Sequence, residues 1–370
     1  MTHYLEADKD DLYLLRYSGM CKPACEVANL TQLESHTTRA RTMIMWRAAA
    51  GHIQWGLREV EIMYQSTLDS ISEAFDIFHY PISRYMLDGR AEIWEAGLAP
   101  LSVREAVTCG IQEPLPNVTG ENTLLLAGEG SISGDRSLIE NLRMVLKLAK
   151  ITGAVWTVPT GALAYSLGAR AEARRQAEIV VAGIRAANVK TVIADGPETA
   201  WALQKIVPAL GLSLPNGVVV RLLSEVIAKN VKPGLRQAGK VFFHDSRPAY
   251  FLAEKLPNHR AILTGSRPEE PDFGEGLVYT APRKVLEGLG LKFVTGTWVR
   301  GLAKSCGADD GLWLTYPDLA KGLAQQRLEY ASYLKADWIV TDSPLCALWL
   351  SRCRNSNSPE VHWLPDLLLG

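Results

Sequence analysis

Apolar residues recur at three- and four-residue intervals through the first third of the chain, from Arg39 to Gly56 and from Arg58 to Gly89. That period sets one side chain per turn on a common face, so residues 1 to about 118 are predicted helical. The cluster Gln112-Glu113-Pro114-Leu115-Pro116-Asn117 then breaks the pattern and marks a boundary. Beyond it the rhythm changes to short apolar runs alternating with helical periods. Thr123–Ala127, Ala154–Val158 and Thr191–Ala194 are predicted strands, with helices at Arg136–Lys150 and Ala171–Ala187. Continuous apolar runs suit parallel strands covered on both faces, and the alternation suits βαβ units. After Lys232-Pro233-Gly234 the pattern restarts. Strands are predicted at Lys240–His244, Leu291–Val294 and Asp337–Thr341, and helices at Pro282–Leu289 and Leu319–Leu334. Pro282 suits the first helical position, where its missing N–H costs nothing.

The two α/β stretches align with each other. Each has a long helix, an apolar strand, an Asp-small-Pro turn and an Ala/Leu/Trp helix. The turn is Asp195-Gly196-Pro197-Glu198-Thr199 in one and Asp342-Ser343-Pro344-Leu345-Cys346 in the other. Upstream, at about the same distance, lie Val158-Pro159-Thr160-Gly161 and Lys304-Ser305-Cys306-Gly307. Such self-similarity indicates an internal duplication. The expected organisation is a helical part at 1–118, an α/β unit at 119–238 and a second α/β unit at 239–370.

Composition narrows the function classes. With 47% hydrophobic and 21% charged residues, the chain has enough apolar surface to fold. A net charge of −1 removes any global electrostatic case for nucleic acid or anionic lipid. No apolar run approaches the roughly 18–20 residues of a membrane span. The acidic start lacks a signal peptide's basic and apolar regions. A cytoplasmic location is expected, compatible with peripheral docking on a membrane complex. The six cysteines, in a chain of this length, do not form a disulfide scaffold. Gly128-Glu129-Gly130-Ser131-Ile132-Ser133-Gly134 follows a strand, but its glycine spacing and Glu129 fit a plain turn better than a dinucleotide loop. His79, His259 and His362 have no spaced partners, and Cys109 and Cys353 match no motif.

One series of residues carries a family resemblance. It runs His244-Asp245-Ser246-Arg247, then Pro282-Arg283, then Ser305-Cys306-Gly307, then Ser343-Pro344-Leu345-Cys346. In order and spacing it resembles the cysteine-rich CCG domain, whose pattern is His-Asp-Pro-Cys, Pro-Arg, Cys-Cys-Gly, Cys-Pro-x-Cys. That domain occurs twice in the catalytic subunit of heterodisulfide reductases. It also occurs twice in the iron–sulfur subunits of glycolate oxidase and anaerobic glycerol-3-phosphate dehydrogenase. Of its ligand positions only Cys306 and Cys346 remain here. The corresponding places in the first half read Gly128-Glu129, Pro159-Thr160-Gly161 and Gly196-Pro197-Glu198-Thr199, without cysteine. The N-terminal part resembles the two-cluster ferredoxin module of the same proteins. Its first Cys-x2-Cys-x2-Cys-x3-Cys run keeps Cys21 and Cys25, with Leu15 and Ser18 in the other places. The second reads Ser66, Asp69, Ser72 and Asp76. Arg39-Ala40-Arg41 and Arg90 stand where the family carries arginines.

The resemblance implies a helical ferredoxin-like module followed by two duplicated α/β domains with parallel sheets. It also implies a non-catalytic or structural subunit of a heterodisulfide reductase-like electron-transfer complex that has lost most or all cluster ligands. Cubane clusters want four thiolates, and oxygen donors replace them poorly. No cofactor is expected, or at most one residual iron–sulfur cluster, for which Cys21, Cys25, Cys306 and Cys346 are the candidate ligands. His244, Asp245, Arg247, Ser305 and Ser343 are expected to line one crevice. The expected partners are a cluster-bearing paralogue or flavin and iron–sulfur subunits. Other chemistry at the same crevice has candidates too. Cys306 and Cys346 would serve thiol–disulfide chemistry if Arg247 lowered a thiol pKa. Arg247 would suit an anion or a salt bridge. Zinc needs four ligands, and Cys306, Cys346 and His244 supply three.

Overall fold

The computed structural model describes residues 3–17, 21–108, 113–116, 118, 122–133, 136–231, 238–253, 259, 276–369. Among the described residues, the helical pattern of the first part becomes seven α-helices. They are α1 (Lys9–Leu15), α2 (Glu26–Thr31), α3 (Thr38–Ala49), α4 (Leu57–Tyr64), α5 (Ser70–Phe75), α6 (Ile82–Glu95) and α7 (Leu101–Thr108). Thr37 caps α3 by accepting the Ala40 N–H at 3.2 Å. The stretch 58–89, which reads as continuous in its periodicity, is cut after Tyr64. Leu68 and Asp69 there take left-handed backbone angles, φ +54° and +52°. Two arginines from elsewhere absorb the carbonyls freed by the break. Arg41 donates to Gln65 O at 2.6 Å and to Ile62 O at 3.1 Å. Arg90 donates to Met63 O at 3.2 Å and to Ser66 O at 3.0 Å. A buried helix end needs such partners.

The first α/β unit runs β1 (Thr123–Ala127), α8 (Glu129–Ile132), α9 (Arg136–Leu148), β2 (Ala154–Thr157), α10 (Ala162–Ser166), α11 (Arg170–Ala187), β3 (Thr191–Ala194), α12 (Pro197–Trp201), α13 (Val207–Ala209), β4 (Val219–Leu222) and α14 (Leu223–Asn230). The second runs β5 (Lys240–Phe243), α15 (Arg247–Ala253), α16 (Leu277–Gly288), β6 (Lys292–Phe293), α17 (Leu312–Thr315), α18 (Pro317–Tyr333), β7 (Trp338–Thr341), α19 (Pro344–Cys353) and β8 (Glu360–Trp363). Each unit forms a four-stranded, wholly parallel sheet, in the orders β2-β1-β3-β4 and β6-β5-β7-β8. The same order appears twice, so the ends of β1 and β3 correspond to the ends of β5 and β7. The fold is mixed α/β with two parallel sheets.

Pro282 sits inside α16, the sixth residue of that helix, because the helix begins at Leu277. The edge strands β4 and β8 have no counterpart among the predicted strands. Both are half-exposed and carry charge, Arg221 in one and Glu360 in the other; in β4 the charge cuts short the apolar run Val218-Val219-Val220. Apolar cores cross the sequence boundaries. One joins Met45, Met63, Tyr85 and Ile93 of the helical part to Ala173, Ala177 and Trp201. Another joins Leu125, Ala127 and Ile193 of the first sheet to Val241, Phe243 and Val340 of the second. Among the described residues no helix is long and apolar enough to cross a membrane.

Candidate functional site

Open parallel sheets build their sites past the carboxyl ends of the strands, where loops gather beside helix N-termini. His244-Asp245-Ser246 follow β5 directly, and Arg247 opens α15. Asp342 and Ser343 follow β7, and Cys346 lies in the first turn of α19. The Ser343 hydroxyl accepts the Cys346 N–H at 3.0 Å, which fixes the thiol's place on that turn. Ser305, Cys306, Asp309 and Asp310 come from the segment between β6 and α17. All of these side chains are buried.

The structure brings most of the expected crevice residues together. One donor atom from each of His244, Cys306 and Cys346 lies within 4.8 Å of the others. A second triad, Glu198, Asp309 and Cys346, meets the same limit and shares Cys346. Asp245 is otherwise engaged. It accepts two bonds from Arg283, at 2.8 and 2.7 Å, and the Arg300 N–H at 2.6 Å. Arg247 forms the salt bridge rather than an open anion site. Its Nη2 donates to Glu26 at 2.6 Å and its Nη1 to the Ser70 hydroxyl, while Nε lies 3.8 Å from Asp310. Glu26 also accepts the Ser305 N–H at 2.8 Å and the Thr67 hydroxyl at 2.7 Å. A carboxylate from the helical part thus reaches the crevice of the second α/β unit.

Arg247 is paired with Glu26 and Asp310. Burial pushes the Cys346 thiol well above its ordinary value, with the neighbouring Cys306 and Asp309 adding to the rise. A buried thiol of this kind is protonated and a poor nucleophile. Burial holds His244 neutral, with a pKa well below the usual histidine range, and Arg327 and Arg247 lower it further. Arg327 lies 3.3 Å from Nδ1 of His244. A guanidinium only donates, so Nδ1 accepts and the proton of the neutral ring sits on Nε2. That tautomer has no lone pair on Nε2 for a metal, and the two guanidiniums oppose a cation on this side.

Ser66, Asp69, Ser72 and Asp76 all make bonds within the chain. Asp69 pairs with Arg41 at 3.0 and 2.9 Å, and both are buried. The Ser66 hydroxyl accepts from Arg90 at 3.0 Å, the Ser72 hydroxyl accepts from Thr38 at 2.7 Å, and Asp76 accepts the Tyr80 N–H at 3.4 Å. Cys25 donates its S–H to His36 O at 3.2 Å. Burial raises the pKa of Cys25 and pushes Cys21 up to about 11. Cys353 is buried in the second unit's core. Cys109 and Ser18 lie outside the described residues. Oxygen donors already bonded within the chain do not fit a four-thiolate cluster.

The first unit shows the same substitution by an acid. Glu129 turns inward and accepts the N–H groups of Thr160, Gly161 and Ala162 at 3.0, 2.9 and 3.0 Å, and the Thr160 hydroxyl at 2.7 Å. The glycine-containing loop therefore begins a short helix whose first acid caps the next turn of chain. Glu26, Glu129, Glu198, Asp309 and Arg327 are site residues that the sequence does not single out. The available signal is positional: Glu129 and Glu198 occupy the family's cysteine-bearing turns, and Asp309 follows Cys306-Gly307 closely.

Several buried carboxyls hold protons more tightly folded than unfolded. Burial pushes Asp195 up to about 6, Glu73 to about 7 and Asp342 to about 8, the last helped by Asp245. For a raised acid the stabilisation is complete below the unfolded value near 4 and is lost as pH climbs through the folded value. The thermal midpoint is therefore expected to fall as pH rises from about 4 to about 8, followed by scanning fluorimetry. A midpoint rising across that interval would contradict it.

No family model matches the chain. A subunit of the dihydromethanophenazine:CoB–CoM heterodisulfide reductase of Methanosarcina mazei is 38% identical over 80 residues. The match spans 21% of this chain and 20% of that protein. The chain is distantly similar to a heterodisulfide reductase subunit. A crystal structure of a hypothetical protein from Helicobacter pylori superposes with a TM-score of 0.61 at 11% identity, over 99% of this chain and 75% of that one. This second likeness is one of fold.

Proposed function

We propose that this chain is a structural subunit of a heterodisulfide reductase-like redox complex, with its cluster sites converted to internal ion pairs and hydrogen bonds. The observation that carries the reading is the Arg41–Asp69, Arg247–Glu26 and Glu129–Thr160 set, which satisfies the vacated positions from within. A fold can persist as an interface after its cofactor sites are filled, since function resides in sites and not in the fold. The partners would be a cluster-bearing paralogue or flavin and iron–sulfur subunits. At most one residual cluster would remain.

Anaerobic purification with iron and acid-labile sulfide analysis tests this. Substoichiometric iron and sulfide, with co-elution alongside iron–sulfur or flavin subunits, is the expected result. A full cluster complement in the isolated chain would end the reading. The second reading is thiol redox chemistry at Cys306 and Cys346, whose sulfurs lie within 4.8 Å of each other. Thiol titration before and after mild oxidation decides it: loss of two titratable thiols in the wild type, spared in Cys306→Ser, would favour that alternative.

A further inference from the structure

Cys346 borders two donor triads, and the electrostatics separate them. On the His244 side stands Arg327, 3.3 Å from Nδ1, while Arg247 lies between the sides and reaches Asp310 at 3.8 Å. On the other side stand Glu198 and Asp309, with Asp310 next to them, all buried. Glu198 has one oxygen left without a partner, whereas both oxygens of Asp309 accept hydrogen bonds, one of them from the Cys346 S–H. Glu198 accepts the Ser343 hydroxyl through Oε1, and its Oε2 has no hydrogen-bond partner although buried. Asp309 accepts the Ser305 hydroxyl through Oδ2 at 3.1 Å, and its Oδ1 lies 3.6 Å from Cys346 Sγ. Hydroxyls bonded to the far oxygen of a carboxylate are how metal ligands are oriented.

We propose that Cys346, Asp309 and Glu198 form a binding site for one zinc-class divalent cation. Zn–S bonds of about 2.3 Å and Zn–O bonds of about 2.0–2.2 Å set tetrahedral donors roughly 3.5 Å apart. The Cys346–Asp309 pair is already at 3.6 Å, and the third donor is within 4.8 Å of both. A cavity of about 40 Å3 bordered by Glu198, Asp309 and Asp310 adjoins the triad, with room for water as a fourth ligand. One thiolate and two carboxylates are a borderline donor set that suits Zn2+ or Co2+. On binding, the Cys346 S–H and any proton held by the buried acids Glu198 and Asp309 go to solvent, and sulfur–metal and oxygen–metal bonds replace them. Glu198 belongs to the first α/β unit, and Asp309 and Cys346 to the second, so the ion would tie the two together. This site and the scaffold reading are independent, and either can fail alone.

The test is Co2+ titration of chelator-treated full-length protein under reducing conditions, followed by visible absorption, with Zn2+ added as competitor. One Co2+ per chain is expected, with a thiolate-to-cobalt charge-transfer band that Zn2+ abolishes. Cys346→Ser should lose the band, and Glu198→Gln should keep it while binding at least about tenfold more weakly. Ser343→Ala should also weaken binding about tenfold, and Cys306→Ser should leave the band in place. Circular dichroism identifies any variant that has not folded, and the wild-type titration stands without the variants. No Co2+ uptake by the wild type overturns the proposal. So does a band lost in Cys306→Ser and unaffected in Glu198→Gln, which would put the ion with His244.

Discussion

Arg247→Met is expected to destabilise the protein by about 3–5 kcal/mol, read from urea unfolding. The guanidinium is buried and meets Glu26, Ser70 and Asp310, which come from two other regions of the chain. Removing it leaves the buried Glu26 side chain with only the Ser305 N–H and the Thr67 hydroxyl as partners. Losing one member of a buried pair costs more than the pair contributed, because the remaining charge keeps its desolvation penalty. The double variant Glu26→Gln/Arg247→Met should therefore be more stable than the sum of the single losses implies. Strict additivity, or a loss under about 1 kcal/mol for Arg247→Met, would show that the pair is not what joins these parts.

Gly307→Ala is expected to cost about 2–5 kcal/mol, combining left-handed strain with overpacking. Gly307 has φ +84°, and an added Cβ would stand 2.5 Å from Ala320 O and 2.7 Å from Ala320 Cα on α18. Its counterpart Gly161 has φ +92°, and its Cβ would stand 2.7 Å from Ala173 O on α11. Backbone cannot move aside as a side chain can. These glycines therefore hold each unit's long helix against its strand-end loop whether or not a cysteine precedes them. Gly51 is the control: φ is +72° with nothing within 4 Å of a new Cβ. Gly51→Ala should lose only about 1–2 kcal/mol by thermal or urea unfolding. Equal losses at Gly51 and Gly307 would remove the close-approach explanation.

What could be read in the sequence follows what is local. β1, β3, β5 and β7 are buried on both faces, so each is a run of apolar residues that needs no context. The positions of Cys346, His244 and Ser343 at the strand ends followed from the strands, whereas Cys306 lies well past the end of β6. β4 and β8 escaped because edge strands with a wet face mix charge into the run. The break at Leu68 and Asp69 escaped because Arg41 and Arg90 decide it, and neither adjoins it in sequence. Glu26 and Asp309 stand in no motif of the local sequence. They become site residues only when the helical part and both α/β units close over them. The fate of Arg247 was ambiguous for the same reason, since its partner Glu26 is 221 residues away.

The core shared by the two sheets bears on how such a molecule can be inherited. Val241, Phe243 and Val340 shelter Leu125, Ala127 and Ile193, and the first unit in turn shelters the helical part. Cutting between the repeats would strip each piece of its covering and turn an interior into an aggregation surface. A gene for this protein can exchange single side chains at the strand ends, but it cannot shed a repeat.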